Sequence, residues 1–125
     1  MKRLLVDTHA VLWWLADDPA LPDSARELVG DPECELLVSV ASLWEIAIKL
    51  GSGKLRAPAD LPETIREEGF MLMPVEPEDA WAVRDLPEHH RDPFDRMLIA
   101  QAINHGLPIL TADPRFGEYP VDVRW

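Results

Sequence analysis

Leu4-Leu5-Val6-Asp7-Thr8-His9 decides the architecture of this chain. Three apolar residues in succession, without alternation, read as a strand buried on both faces, as in parallel sheets. The run stops at an acid. Residues 8–16 then read as a helix, with Asp7 or Thr8 at its cap. A buried strand passing straight into a helix is the opening half of a βα unit.

Outward from that unit the alternation continues. Asp18-Pro19 ends the first helix, and Pro22-Asp23-Ser24 opens a second that stops at Gly30. Leu36-Leu37-Val38-Ser39 is the next strand. Trp44, Ile46, Ala47, Ile48 and Leu50 predict a helix that starts at Ser42 and closes at Gly51. Further on, the pattern predicts a helix over residues 61–68, a strand over 70–75 and a helix over 77–83. The polar loop Pro87-Glu88-His89-His90-Arg91 precedes the strongest helical signal. There Asp92 is the N-cap, Pro93 takes the first helical position and Gly106 is the stop. Residues 109–111 and 121–123 supply the last strands. Strands alternating with helices predict an α/β fold, a parallel sheet layered between helices, with residues 1–125 forming one domain.

Composition narrows the function. A chain of 125 residues buries roughly two-thirds of its unfolded surface, and 47% hydrophobic content argues against disorder. No apolar stretch reaches the ~18 residues of a membrane span, and the N-terminal apolar run is too short for a secretory core, so a cytoplasmic chain is expected. The lone cysteine, Cys34, lies among Asp31, Glu33 and Glu35, which disfavour a reactive thiolate. The net charge of −11, from 12 basic against 23 acidic residues, argues against a general nucleic-acid binder. It fits a site that concentrates carboxylates, or a partner that carries positive charge.

Asp7, Glu45, Asp95 and Asp113 are the candidate site. Asp7 and Asp113 close apolar runs, where an α/β sheet opens its binding edge. Glu45 and Asp95 are expected in the first turns of two helices that begin on that same edge. Gathered there, four carboxylates repel one another unless a hard divalent ion such as Mg²⁺ or Mn²⁺ is present. Each acid also has a plainer reading. Asp7, Asp92 and Asp113 suit N-caps, Ser42-x-x-Glu45 matches a capping box, and Asp95 suits the positive end of a helix. Both readings stand at this point.

Other residues carry less. His9 reads as a polar helix-start residue, His89 and His90 as solvated loop residues, and His105 as a cation at a helix C-terminus. Of the adjacent Trp13 and Trp14, one is expected in the core and the other exposed at a protein interface.

Taken together, Leu4–His9, Ser42-Leu43-Trp44-Glu45-Ile46-Ala47-Ile48-Lys49, Asp92-Pro93-Phe94-Asp95-Arg96-Met97-Leu98-Ile99-Ala100-Gln101-Ala102 and Leu110-Thr111-Ala112-Asp113 resemble a PIN domain. More narrowly, they resemble a VapC-type toxin ribonuclease of a type II toxin–antitoxin pair. Each motif is weak alone; the ordered set spans nearly the whole chain. The resemblance implies a three-layer α/β/α sandwich around a parallel sheet. It places the family's acidic, metal-holding and catalytic site on Asp7, Glu45, Asp95 and Asp113, with Asp92 as a cap or supporting residue. It further implies Mg²⁺ (or Mn²⁺), an RNA substrate cut by metal-assisted hydrolysis, a homodimer, and an antitoxin protein that covers the active-site groove. In that mechanism Thr8 or Thr111 is expected to orient water or phosphate, and Lys49 and Arg96 to pair with carboxylates, with phosphate contact as the alternative.

Rival functions are a PIN-type nuclease in RNA processing or on structured DNA, and a non-catalytic α/β protein-binding module whose acids are only caps. A phospho-aspartyl phosphatase is disfavoured because His9 stands where that chemistry wants a second aspartate.

Overall fold

In a computed structural model, which describes residues 2–53, 55 and 57–125, the chain forms a five-stranded sheet in the order β3-β2-β1-β4-β5. The strands are β1 (Lys2–Val6), β2 (Cys34–Ser39), β3 (Met71–Met73), β4 (Ile109–Leu110) and β5 (Val123–Arg124), and every pairing is parallel. The helices are α1 (Thr8–Leu15), α2 (Asp23–Gly30), α3 (Val40–Gly51), α4 (Leu61–Glu67), α5 (Pro77–Ala82) and α6 (Pro93–His105). Short 3₁₀ turns follow α5 (Val83–Asp85) and β4 (Pro114–Glu118).

The three layers follow from the two-residue period of a strand. Leu4 and Val6 of β1, Leu36 and Val38 of β2 and Leu110 of β4 point to one face, where Ala10, Val11, Ala25, Ile46 and Ile65 meet them. Leu5, Leu37 and Ile109 point to the other, against Leu98, Ile99, Ala102 and Phe116. Both faces of the inner strands are therefore apolar, which is why those segments read as unbroken runs.

The strand order fixes the site. From central β1 the chain winds outward through β2 to β3, then returns to pair β4 on the other side of β1. The switch point lies between the carboxyl ends of β1 and β4, where α/β sheets open a crevice. Asp7 follows β1, and Thr111 and Asp113 follow β4.

Several boundaries differ from expectation. α3 starts at Val40, with Ser39 as its cap: Ser39 Oγ accepts the Ala41 N–H at 3.0 Å. Ser42 is thus inside the helix and takes the Thr8 hydroxyl hydrogen at 2.8 Å, so Ser42 and Glu45 form no capping box and Glu45 lies in the second turn. Ser39 also ends β2, and a strand passing into a helix without a loop hides the true cap. β3 is three residues long rather than six, and β5 begins at Val123 instead of Val121. Trp13 and Trp14 are both half-buried; Trp13 packs edgewise on Trp125, and Trp14 Nε1 reaches Glu68 Oε2 at 3.4 Å. The exposed tryptophans are Trp44 and Trp81. His105 does lie in the last turn of α6, but its Nε2 pairs with fully buried Asp79 at 3.0 Å rather than facing solvent alone.

Candidate active site

Asp7, Glu45, Asp95 and Asp113, far apart in sequence, line one cleft of about 260 Å³ at the sheet's switch point. Asp92, Lys49, His90 and Arg115 share it.

The capping and gathering readings turn out to be compatible. Asp7 Oδ1 accepts the Ala10 N–H at 2.8 Å and caps α1. Asp92 Oδ1 accepts the Asp95 N–H at 2.9 Å and caps α6. Asp113 Oδ1 accepts the Arg115 N–H at 2.9 Å and caps the 3₁₀ turn after β4. Capping consumes one oxygen of each and aims the other carboxylate oxygen at the edge where helix N-termini converge. Asp95, in the first turn of α6, and Glu45, in the second turn of α3, reach the same space from the helix sides.

Electrostatics follow from the crowding. Asp7 is 5% exposed, and that burial pushes its carboxyl pKa up, against the hydrogen bonds from Thr111 and Ala10. Burial, then the charges of Asp92, Glu45, Asp7 and Asp113, raise Asp95 from 3.8 to about 7. Partial burial raises Asp113, but hydrogen bonds from Arg115 and His90 outweigh it and leave the carboxyl below its ordinary value. Glu45 is 4% exposed; its Oε2 pairs with Lys49 Nζ at 2.9 Å, while its buried Oε1 has no hydrogen-bond partner among the described residues. An orphaned buried carboxylate oxygen is costly unless something completes it. Carboxylate donors, mutual repulsion and one unsatisfied oxygen together suit a hard divalent cation.

Lys49 pairs with a carboxylate as expected. Arg96 does not: its Nη1 donates to the carbonyls of Pro87 and His90, and its Nη2 to those of Val83 and Leu86, all at 3.0–3.1 Å. It stitches the loop before α6 to the helix and forms no ion pair among the described residues. Thr111 Oγ1 donates to Asp7 Oδ2, and Thr8 is turned to Ser42.

Two polar cleft residues, His90 and Arg115, were absent from the expected set. His90, read as solvated, is 1% exposed, with Nε2 2.9 Å from Asp113 Oδ2 and 3.0 Å from Asp95 Oδ2. The signal was its place two residues before the α6 cap, close enough for its ring to meet the cap's backbone: Asp92 N–H donates to His90 Nδ1 at 3.2 Å. Arg115 follows Asp113 by the same interval and grips it through Nε at 3.1 Å and Nη2 at 3.0 Å. His89 is exposed, as expected. His9, also exposed, lies at the cleft rim.

The PIN domain family model matches residues 4–122. Ribonuclease VapC22 of Mycobacterium tuberculosis is 31% identical over 123 residues, covering 92% of this chain and 90% of that protein. Among solved structures, DNA-bound VapBC from Salmonella typhimurium superposes with a TM-score of 0.71 at 18% identity, covering 99% of this chain and 98% of that one. VapBC2 from Rickettsia felis, bound to a DNA fragment from their promoter, gives 0.66 at 12% identity, covering 98% and 97%. At those identities the solved structures share the α/β/α fold, while the family match and the relative above 30% identity reach across nearly the whole sequence. By both, the chain belongs to the PIN-domain family, in its VapC branch.

Proposed function

We propose that this protein is a Mg²⁺-dependent (or Mn²⁺-dependent) endoribonuclease, the toxin of a type II toxin–antitoxin pair acting in the cytoplasm. The observation that carries the reading is the convergence of Asp7, Glu45, Asp95 and Asp113 on one cleft, with a buried, partnerless oxygen on Glu45. The relative named a ribonuclease and the VapBC assemblies among the structural neighbours support it.

Asp7, Glu45 and Asp95 would hold the cation, with Asp113 completing the acidic set through its neighbours. Bound there, a divalent ion would supply a water of lowered pKa and positive charge for the phosphate oxygens. Thr111 fixes the Asp7 carboxylate and Ala10 N–H holds its other oxygen, so its direction is set before substrate arrives. Lys49 and Arg115, on α3 and on the turn after β4, place positive charge beside the acids. They offer N–H groups to the phosphodiester backbone, which is how a chain of net charge −11 approaches a polyanion. No protein nucleophile is needed, and Cys34 stands at the opposite, amino end of β2.

The partners follow from charge and from exposed apolar surface. An antitoxin segment carrying Arg or Lys suits the acidic cleft. Val40, Trp44 and Ile48 recur every fourth residue on α3 and are 41%, 63% and 50% exposed, an uncovered apolar stripe suited to a second copy of the chain. Sedimentation should give a dimer that Trp44→Glu converts to monomer. A basic antitoxin-derived peptide should bind in a salt-sensitive way.

The deciding experiment incubates purified protein with total RNA and Mg²⁺, maps the cut ends, and repeats with Asp95→Asn. Cutting that survives the substitution sinks the site assignment. Binding of Mg²⁺ without any cutting would favour a non-catalytic module, and cutting confined to structured DNA a different PIN nuclease.

A further inference from the structure

We propose that His90 is a positioning residue of the cleft: its Nε2–H donates to Asp113 with the Asp95 carboxylate beside the same nitrogen, and the imidazole itself stays out of the cation's coordination shell. The cation's presence rests on the nuclease reading; the hydrogen-bond pattern does not.

His90 is 1% exposed, although His89 and Arg91 on either side are exposed. A buried imidazole needs a partner for each nitrogen. The Asp92 backbone N–H donates to Nδ1 at 3.2 Å, so Nδ1 is the unprotonated nitrogen and the proton lies on Nε2. That N–H donates to Asp113 Oδ2 at 2.9 Å, with Asp95 Oδ2 at 3.0 Å from the same nitrogen. The ring stands edgewise on Phe116, centroids 5.6 Å apart at 88°. The His90 backbone N–H donates to the Tyr119 hydroxyl at 2.9 Å, which in turn donates to the Pro87 carbonyl at 2.6 Å. The ring is thus held on several sides.

His90, Asp95 and Asp113 bring ligand-type atoms within 4.8 Å of one another, the outline of a metal trio. Two of the three have no lone pair to give. Nε2 carries a proton. Asp113 accepts from the Arg115 backbone N–H and Nε on Oδ1, and from His90 and Arg115 Nη2 on Oδ2. A carboxylate has about four acceptor positions, and these are filled. On the nuclease reading the cation would fall to Asp95 together with Asp7 and Glu45, which line the cleft outside that 4.8 Å cluster, and His90 serves it by fixing the Asp113 carboxylate beside Asp95. With a cation bound both carboxylates would be ionised, and removing the donor would leave their Oδ2 atoms facing each other as like charges, which pushes Asp95 away from its neighbours.

Loss of such a supporting hydrogen bond weakens metal affinity about 10–100-fold. The test titrates Mn²⁺ alone, followed by electron paramagnetic resonance, into wild type and into His90→Gln, His90→Asn and His90→Phe. The Gln amide nitrogen reaches the Nε2 position; the Asn amide stops at Nδ1. The expected result is affinity kept within about threefold in His90→Gln and lost about 10–100-fold in His90→Asn and His90→Phe. If His90→Phe does not fold, the Gln–Asn pair decides. Imidazole ¹⁵N shifts of metal-free wild type should show Nε2 protonated and Nδ1 bare. A bare Nε2, unchanged affinity in His90→Asn, or His90→Gln as weak as His90→Asn overturns the proposal. RNA is absent from these measurements, so a protein that binds Mn²⁺ with this dependence yet cuts no RNA sinks the nuclease reading alone; one that binds no Mn²⁺ sinks both.

Discussion

Thr111 donates its hydroxyl hydrogen to Asp7 Oδ2, joining residues 104 positions apart in the chain. Val6 and Leu110 are register partners on β1 and β4, so the next residue of each strand meets its neighbour across the switch point. The bond opposes the burial that raises the Asp7 pKa. Thr111→Val keeps the shape and deletes the donor. It should cost about 1 kcal/mol of stability in chemical denaturation and about tenfold in Mn²⁺ affinity. A variant that matches wild type in both measurements would show that the bond positions nothing.

Asp95 makes the metal-free protein sensitive to pH. Its carboxyl titrates at about 7 in the fold against 3.8 ordinarily, so the folded state holds the proton more tightly than the unfolded chain. That contribution is complete below about pH 4 and is lost as pH rises through about 7. Asp95→Asn has no such proton to lose. Its melting temperature relative to wild type should therefore climb between pH 4 and pH 8 without metal, and parallel melting curves across that window would contradict the assignment. Asp7 is raised chiefly by its burial, a cause that the substitution at position 95 leaves in place.

A divalent ion should reverse the repulsion. At about ten times its dissociation constant, Mg²⁺ or Mn²⁺ contributes about 1.4 kcal/mol, or roughly 5 °C in melting temperature for a domain of this size. Glu45→Gln, which neutralises the acid bearing the partnerless Oε1, should lose most of that shift. An equal shift in the variant would place the ion elsewhere.

The two arginines near the α6 entrance should separate stability from activity. Arg96 donates to four carbonyls, and Arg96→Met should destabilise by about 3 kcal/mol while leaving the KM for RNA of the folded fraction intact. Arg115 is largely exposed, and Arg115→Met should instead raise KM for RNA and flatten its salt dependence, with stability little changed. Kinetics at two ionic strengths, read beside urea melts, distinguish the pair. Coinciding effects would refute the division of roles.

Much of this arrangement was legible in the sequence for a physical reason. Strands buried on both faces must be apolar throughout, so Leu4–Val6 and Leu36–Val38 announce themselves, and Asp92-Pro93 with Gly106 brackets α6 at both ends. Short edge strands such as Met71–Met73 have no such signature, and the β2–α3 junction concealed its cap in Ser39. The acids were readable because strand ends converge by topology. His90 was not, because a histidine in a polar loop looks the same whether the fold buries it or not; only the packing of Phe116 and Tyr119 against it decides.

Asp7, Asp92 and Asp113 each terminate a helix or turn as well as facing the cleft. Losing any of them costs a cap, about 1 kcal/mol, whether or not the protein still has work to do. A descendant that had abandoned its chemistry would go on carrying these aspartates for the sake of folding. Glu45 and Asp95 accept no capping bond and are free to drift once activity is lost. When the competence of a divergent copy is judged by inspection, that glutamate and the aspartate inside α6 are the informative positions, and the three caps say little.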